Sequence, residues 1–272
     1  MRPHLLICKS LDFPVKRCMN GLMIILNVRR MDIHTIMNIP MARIIAIHTI
    51  TMNDPTLSLL QLFDPLFPIG SFTMSNGLET YVSRGIIYDA ATLEQYLEGM
   101  LYILPYSDLG FAAKAALNED IRLLDNMCTA SKTPYELRQS SIKLCSRFLK
   151  NICEMEDIPS LKEYRDGINE GTFSGCYPVA AGLCIGFLSE NISQGLSIYC
   201  YSLLSAAVNH AVKLVPLRQT DGQKVLHQIL KKIPSAVETA VNCDISELGS
   251  GGFGYEFRSM QHETLYTRIY IS

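Results

Sequence analysis

Apolar positions at helical spacing organise most of this chain. Leu93, Tyr96, Leu97, Met100, Leu101 and Leu104 recur at i, i+3 and i+4, the stripe that one face of an α-helix buries, and Pro105 ends the run. Residues 107–116 are rich in alanine and other helix formers, which predicts a second helix. Thr133-Pro134-Tyr135-Glu136 combines an N-cap threonine, a proline at the first helical position and a glutamate at the third, the pattern of a capping box. Behind it, Leu137, Leu144, Phe148, Ile152 and Met155 mark a buried face. Thr220 with Gln223 repeats that start signal ahead of Val225, Leu226, Ile229, Leu230 and Ile233, with Pro234 as the stop. No strand pair or hairpin signal stands out. These patterns predict an all-α fold, a single helical-bundle domain of about ten helices over residues 52–272.

Two stretches depart from the helical pattern. Residues 62–81, LFDPLFPIGSFTMSNGLETY, hold Pro65, Pro68 and Gly70 among large apolar residues. Proline lacks an N–H and biases the residue before it toward extended geometry, so a regular helix is excluded there. Leu62, Phe63, Leu66, Phe67, Ile69 and Phe72 are nevertheless too apolar for a solvated loop, which leaves a hinge pinned into a core or offered to a partner. Ser75 or Asn76 is placed to cap a helix beginning GLETY, with Glu79 in its first turn. The second stretch, 171–212, has Glu190 as its one formal charge. A transmembrane hairpin is the alternative reading of it. The interspersed Ser, Thr, Gln, Asn and Gly disfavour lipid, and Gly175, Ala180, Ala181, Gly182, Gly186, Ala206, Ala207 and Ala211 favour two helices in close contact inside a bundle.

Residues 1–51 differ from the rest. They hold six of the twelve methionines, three of the six histidines and no sustained period. The expectation is a disordered head or an over-extended start, with Met52 as the true beginning of the protein. Their seven Lys and Arg against two Asp give +5, leaving 17 basic and 24 acidic residues in the remainder, a net of −7. A body this acidic is ill-suited to nucleic acid, whose binding depends on neutralising phosphates. Nine cysteines without CxxC spacing read as reduced thiols packed as small apolar residues, not as a disulfide framework or a zinc site.

Candidate chemistry is sparse. No GxxxxGK[ST] phosphate loop occurs. Gly249, Gly251 and Gly254 match GxGxxG, but without a preceding strand the match reads as a loop. No HxH or HExxH pairs His210, His227 or His262, so no metal site is expected. A helical thiol hydrolase using Cys176 is the enzyme alternative, and it requires a base or helix N-terminus to activate the thiol. The carboxyl end, residues 260–272, reads MQHETLYTRIYIS, with Tyr266, Arg268 and Tyr270 alternating against β-branched residues. Tyr and Arg dominate interface hot spots, so this tail is either an interface anchor or a segment folded back on its own domain.

Four ordered blocks carry a family resemblance: LLQLFDPLFPIGSFTMSNGLETYVSRG (59–85), TFSGCYPVAAGL (172–183), LVPLRQTDGQKVL (214–226) and MQHETLYTRIYIS (260–272). With them the chain resembles the UreF family of urease accessory proteins from Leu59 to Ser272. The resemblance implies an all-α cytoplasmic protein that is not an enzyme and binds no cofactor itself. It implies assembly with UreD (UreH in some systems) and the GTPase UreG, docking of that complex on apo-urease, and insertion of nickel there. Nickel and GTP are then handled by the partner complex, and family members can pair as homodimers within it. No membrane or nucleic-acid partner is implied. Partner binding falls on the hinge at Phe67, Pro68, Gly70 and Phe72, on Glu79, and on Tyr266, Arg268 and Tyr270 of the tail. The family usually has His-Ser-Phe where this chain has Met74-Ser75-Asn76, and Gly-His where it has Gly175-Cys176. Each change replaces an imidazole with a sulfur side chain.

Overall fold

The computed structural model describes residues 54–271 and, in the N-terminal segment, two strands. The chain divides into two units, Met1–Asp54 and Pro55–Ser272. In the first, β1 (Val15–Met19) and β2 (Leu22–Leu26) pair antiparallel, with Met19 opposite Leu22 and Val15 opposite Leu26. The hydrophobic pattern does not predict this hairpin, but turn chemistry does, because Asn20-Gly21 lies between the strands and Asn-Gly favours a two-residue hairpin turn. The remaining expectations for residues 1–51, a disordered head or a start at Met52, lie outside the described residues.

The second unit is all-α. Its helices are α1 (Pro55–Leu62), α2 (Leu78–Ser83), α3 (Ala90–Ile103), α4 (Asp108–Ala116), α5 (Ile121–Ser131), α6 (Tyr135–Met155), α7 (Pro159–Asn169), α8 (Tyr177–Leu188), α9 (Ile192–Leu214), α10 (Gln219–Leu230), α11 (Ile233–Asn242) and α12 (Phe253–His262). Periodicity places the core correctly: Leu93, Leu97 and Leu101 of α3 and Phe148 and Ile152 of α6 are buried. Pro105 ends α3 in a short 3₁₀ turn.

Helices α4 and α8 form the centre. Ala112, Ala113, Ala115 and Ala116 present a flat face on α4, and α8 lies so close that a Cβ on Gly182 would stand 2.2 Å from the Ala112 carbonyl oxygen. Small residues are required here because backbone, not side chain, is the neighbour. Helix α9 then crosses α10, α11 and α4. The membrane-hairpin alternative for 171–212 gives way to this arrangement. Both helices are packed by protein, and among the described residues no helix is long and apolar enough to cross a membrane. Lys114, buried on α4, donates to the Val241 carbonyl at 2.8 Å and so neutralises the C-terminal end of α11.

Three start signals resolve differently from the sequence expectation. The Thr133/Glu136 capping box does not form; α6 begins at Tyr135 with Pro134 as N-cap and no side-chain cap, because the Glu136 carboxylate is drawn to other partners. Helix α10 begins at Gln219, ahead of the expected Thr220 cap, behind an Arg218–Asp221 pair. Pro234 starts α11 instead of only stopping α10. True capping boxes occur at Asp89/Thr92 and Asp244/Glu247.

Candidate functional site

The hinge after α1 is held by α6. Phe63 and Phe67 pack against Phe148, with ring centroids 6.2 and 6.1 Å apart. The carbonyls of Pro68 and Ile69 each accept a hydrogen bond from an α6 side chain, Asn151 Nδ2 and Arg147 Nη1, both at 3.1 Å. Gly70 turns the chain at φ +83°, and a Cβ there would strike the Arg147 guanidinium at 2.4 Å. Proline-rich backbone that cannot pair within a helix is thus satisfied by side chains from a neighbouring one. After the hinge, Asn76 and Gly77 both take positive φ and Gly77 is the N-cap of α2, so the expected cap by Ser75 or Asn76 does not form.

Glu79 sits in the first turn of α2, but its carboxylate serves the far end of the chain. Oε1 accepts the Ile269 N–H at 2.7 Å, and Oε2 accepts the Tyr270 N–H at 3.1 Å and lies 3.2 Å from His262 Nε2. His262 Nδ1 lies 2.6 Å from Glu136 Oε2, and Glu136 Oε1 accepts from Arg268 Nη1 at 2.6 Å. Ile271 donates its N–H to the Thr73 carbonyl at 2.9 Å. The Tyr270 ring packs edge-on to His210, centroids 4.6 Å apart, while His210 Nε2 meets the Phe72 carbonyl at 3.2 Å. The tail is therefore folded back on its own domain, clasped to the hinge by two glutamates.

This arrangement brings most of the sequence-predicted residues together. Phe72, Glu79, Arg268 and Tyr270 meet in one cluster, and Gly70 sets the hinge turn beside it. Glu79 and Tyr270 are buried, so their contacts are internal; Phe67 is likewise buried, against Phe148. Phe72 (57% exposed), Tyr266 (101%), Ile269 and Ile271 face solvent. Glu136, His210 and His262 complete the cluster and carry no local sequence signal for this role, since their partners lie 126 to 183 residues away, or 138 for His210.

Burial holds His210 down at about 4, with Lys213 adding to the effect and the Phe72 hydrogen bond opposing it. The ring is neutral at pH 7 and donates from Nε2 to that carbonyl. An unfolded histidine takes up its proton near pH ~6.5, whereas the folded one resists until about 4. Stability contributed by His210 is therefore present above pH ~6.5 and is lost as pH falls toward 4. The unfolding free energy from urea melts is expected to decline by roughly 2–3 kcal/mol between pH 7 and 4.5 on this account, and His210→Phe is expected to flatten that slope.

Cys176 lies elsewhere, at the start of α8. It is 1% exposed and disulfide-bonded to Cys128 of α5. This pairing corrects the expectation of uniformly reduced thiols, and it overturns the thiol-hydrolase alternative, because the sulfur is neither free nor accessible. Two residues 48 apart leave no motif spacing to read. Asp125, fully buried, accepts the N–H groups of Ser174, Gly175 and Cys176 and the Tyr164 hydroxyl, and so fixes the turn that delivers Cys176. Met74, the other sulfur at a usual histidine position, is buried and accepts from the Ser140 hydroxyl. Among the described residues no group of three or more His, Cys, Asp or Glu is arranged to hold a metal.

The UreF family model matches residues 87–230. A protein named urease accessory protein UreF from Actinobacillus pleuropneumoniae serotype 5b is 38% identical over 224 residues, which is 79% of this chain and 98% of that one. A protein of the same name from Haemophilus influenzae strain PittEE is 35% identical over 222 residues, 79% and 94% of the two chains. A third, from Paenarthrobacter aurescens strain TC1, is 31% identical over 218 residues, 79% and 97%. The matched span contains the hinge-bearing helix α6 and the central pair α4 and α8, and the chain belongs to the UreF family.

Proposed function

We propose that this chain is a non-enzymatic scaffold of urease maturation. In this reading it binds UreD (UreH) and, through that assembly, the GTPase UreG, and the complex docks on apo-urease to insert nickel. Nickel is cargo, GTP chemistry belongs to UreG, the chain pairs as a homodimer within the assembly, and the setting is the cytoplasm. The observation that carries the reading is the clasp: hinge and tail, distant in sequence, are joined so that Phe72, Tyr266, Ile269 and Ile271 stand outward on a fixed support. Exposed aromatic and branched side chains on a preorganised backbone are what a docking surface requires, because little ordering entropy is then lost on binding. The names of the relatives, urease accessory proteins, supply the setting. His210 and His262 fit a scaffold too, since their ring nitrogens engage a carbonyl and two glutamates, not a serine or cysteine.

Co-purification with UreD and UreG tests this. Deleting residues 266–272, or Arg268→Ala, is expected to weaken capture by roughly ten-fold or more, the effect of losing an interface hot spot, with circular dichroism unchanged. A truncated chain that assembles as well as the intact one would refute the role given to the tail.

A further inference from the structure

Helix α5 meets the body of the domain through a short buried face. Leu124, Asp125 and Cys128 form it, and the helix packs mainly on α4 and α8. Asp125 takes the N–H groups of Ser174, Gly175 and Cys176, and Cys128 is bonded to Cys176, the N-cap of α8. The hydrogen bonds that place Cys176 do not need the sulfur–sulfur bond. Its N–H also reaches the Tyr164 hydroxyl at 2.8 Å, and Ser141 Oγ accepts the Tyr177 N–H at 3.1 Å. The same Ser141 oxygen lies 3.4 Å from Cys176 Sγ, where it can partner a thiol. A reduced pair therefore keeps its backbone anchored and stays positioned to close again. We propose that Cys128 and Cys176 form a thiol–disulfide pair whose redox state sets how readily α5 opens from the folded body. None of this depends on the scaffold reading.

Closure is an oxidation by a low-molecular-weight disulfide such as oxidised glutathione. One cysteine, as its thiolate, attacks a sulfur of that disulfide, forms a mixed disulfide and releases one small thiol. The second cysteine then displaces the other small thiol and closes the protein bond. The two protein thiols give up two protons and two electrons, and the small disulfide leaves as two thiols. Reduction by the same small thiol is the reverse. Both sulfurs belong to fully buried residues, so exchange waits for α5 to open locally. The other described cysteines do not compete. Cys145, Cys153, Cys184, Cys200 and Cys243 are free, and burial pushes each thiol up, away from the attacking thiolate form.

The bond joins residues 48 apart and encloses α6 and α7. Closing a loop of that length shifts the folding equilibrium by roughly 30- to 1,000-fold. Bond formation and folding share one thermodynamic cycle, so folding favours the bond by the same factor. In the oxidised chain α5 cannot leave α8 without dragging its N-cap along. In the reduced chain only packing and hydrogen bonds such as those of Asp125 hold it. The far end of α5 bears on the glycine loop: a Cβ on Gly249 would stand 3.0 Å from the Ser131 Cβ, and Lys132 pairs with Asp108 at 2.6 Å. Opening of α5 therefore also loosens the loop that leads into α12.

The test uses the full chain without partners. It is equilibrated in glutathione buffers of graded reduced-to-oxidised ratio, alkylated, and mapped by mass spectrometry. The Cys128–Cys176 link is expected to form and break reversibly, favoured in buffer over concentrated urea by roughly 30-fold or more. Circular dichroism is expected to be the same in both states. In the reduced chain the amides of Leu124, Asp125 and Cys128 are expected to exchange at least about ten-fold faster than those of Phe111 and Ala112 in α4. In the oxidised chain that gap is expected to close. Cys128→Ser should keep the fast rate at every glutathione ratio, and Cys145→Ser should leave both states as in the wild type. The reduced wild type gives the same reading without any substitution, so the comparison survives a serine variant that fails to fold. A chain that never forms the link overturns the proposal. So does a chain that unfolds on reduction, and so do equal α5 exchange rates in the two states.

Discussion

Glu79→Ala is expected to release the C-terminal tail and to reduce partner capture by two orders of magnitude or more. Glu79 accepts two backbone N–H groups of the tail and faces the His262 ring, with no exposed oxygen to spare. Hydrogen bonds to an ionised group contribute about 1.5–3 kcal/mol each, so losing them removes about 3–6 kcal/mol from docking. Tail docking is far less stable than the whole domain, so its equilibrium shifts completely. The helical body should persist, because α2 is short and the core residues Leu78 and Leu93 do not contact the carboxylate's partners through hydrogen bonds. Amide exchange at Ile269, Tyr270 and Ile271 checks the first claim and co-purification the second. Protected tail amides in the alanine variant would show that side-chain packing of Tyr270, not Glu79, holds the tail.

Gly182→Val is expected to destabilise the fold severely. The added Cβ would meet the Ala112 carbonyl oxygen at 2.2 Å and the Ala115 Cβ at 2.7 Å, and both belong to a helix that is itself buried. No flexible side-chain end is available to move aside. Separating α4 from α8 would open the centre of the core, and overpacking of this kind costs about 1–3 kcal/mol, more where backbone is the neighbour, against a total stability of about 5–15 kcal/mol. The variant should be insoluble or melt more than about 10 °C lower. Gly99→Ala is the matched control. Gly99 lies inside α3 with open space where its Cβ would go, so that change should stabilise the protein by about 0.5–1 kcal/mol.

These two sites also show what could be read from residues alone. The close approach at Gly182 was legible, because a run of small residues with one charge in 42 positions is a packing pattern carried entirely by neighbours in sequence. The hinge was legible for the same reason, proline and glycine acting on their own backbone. The clasp was legible only as two separate ends. Glu136 satisfies every local rule for a capping residue, yet its carboxylate goes to a ring nitrogen of His262 and the guanidinium of Arg268 instead of the helix N-terminus. Cys128 and Cys176 fail in the same way, being joined by the turn that Asp125 fixes and by nothing in their spacing. Local chemistry fixes which way a residue can point, while the fold decides what waits there.

The Glu79 contacts of the clasp close over sequence separations of 183 to 191 residues. Contacts this remote carry a loop-closure cost that only a preformed body can offset, so they form last during folding. During synthesis the tail is also the last described segment to leave the ribosome, after every helix it docks against has emerged. The completed surface is thus a record that the helical body behind it has been made and folded. In the scaffold reading, a fragment ending before Arg268 displays the hinge without the tail and is expected to be captured poorly by an assembly partner.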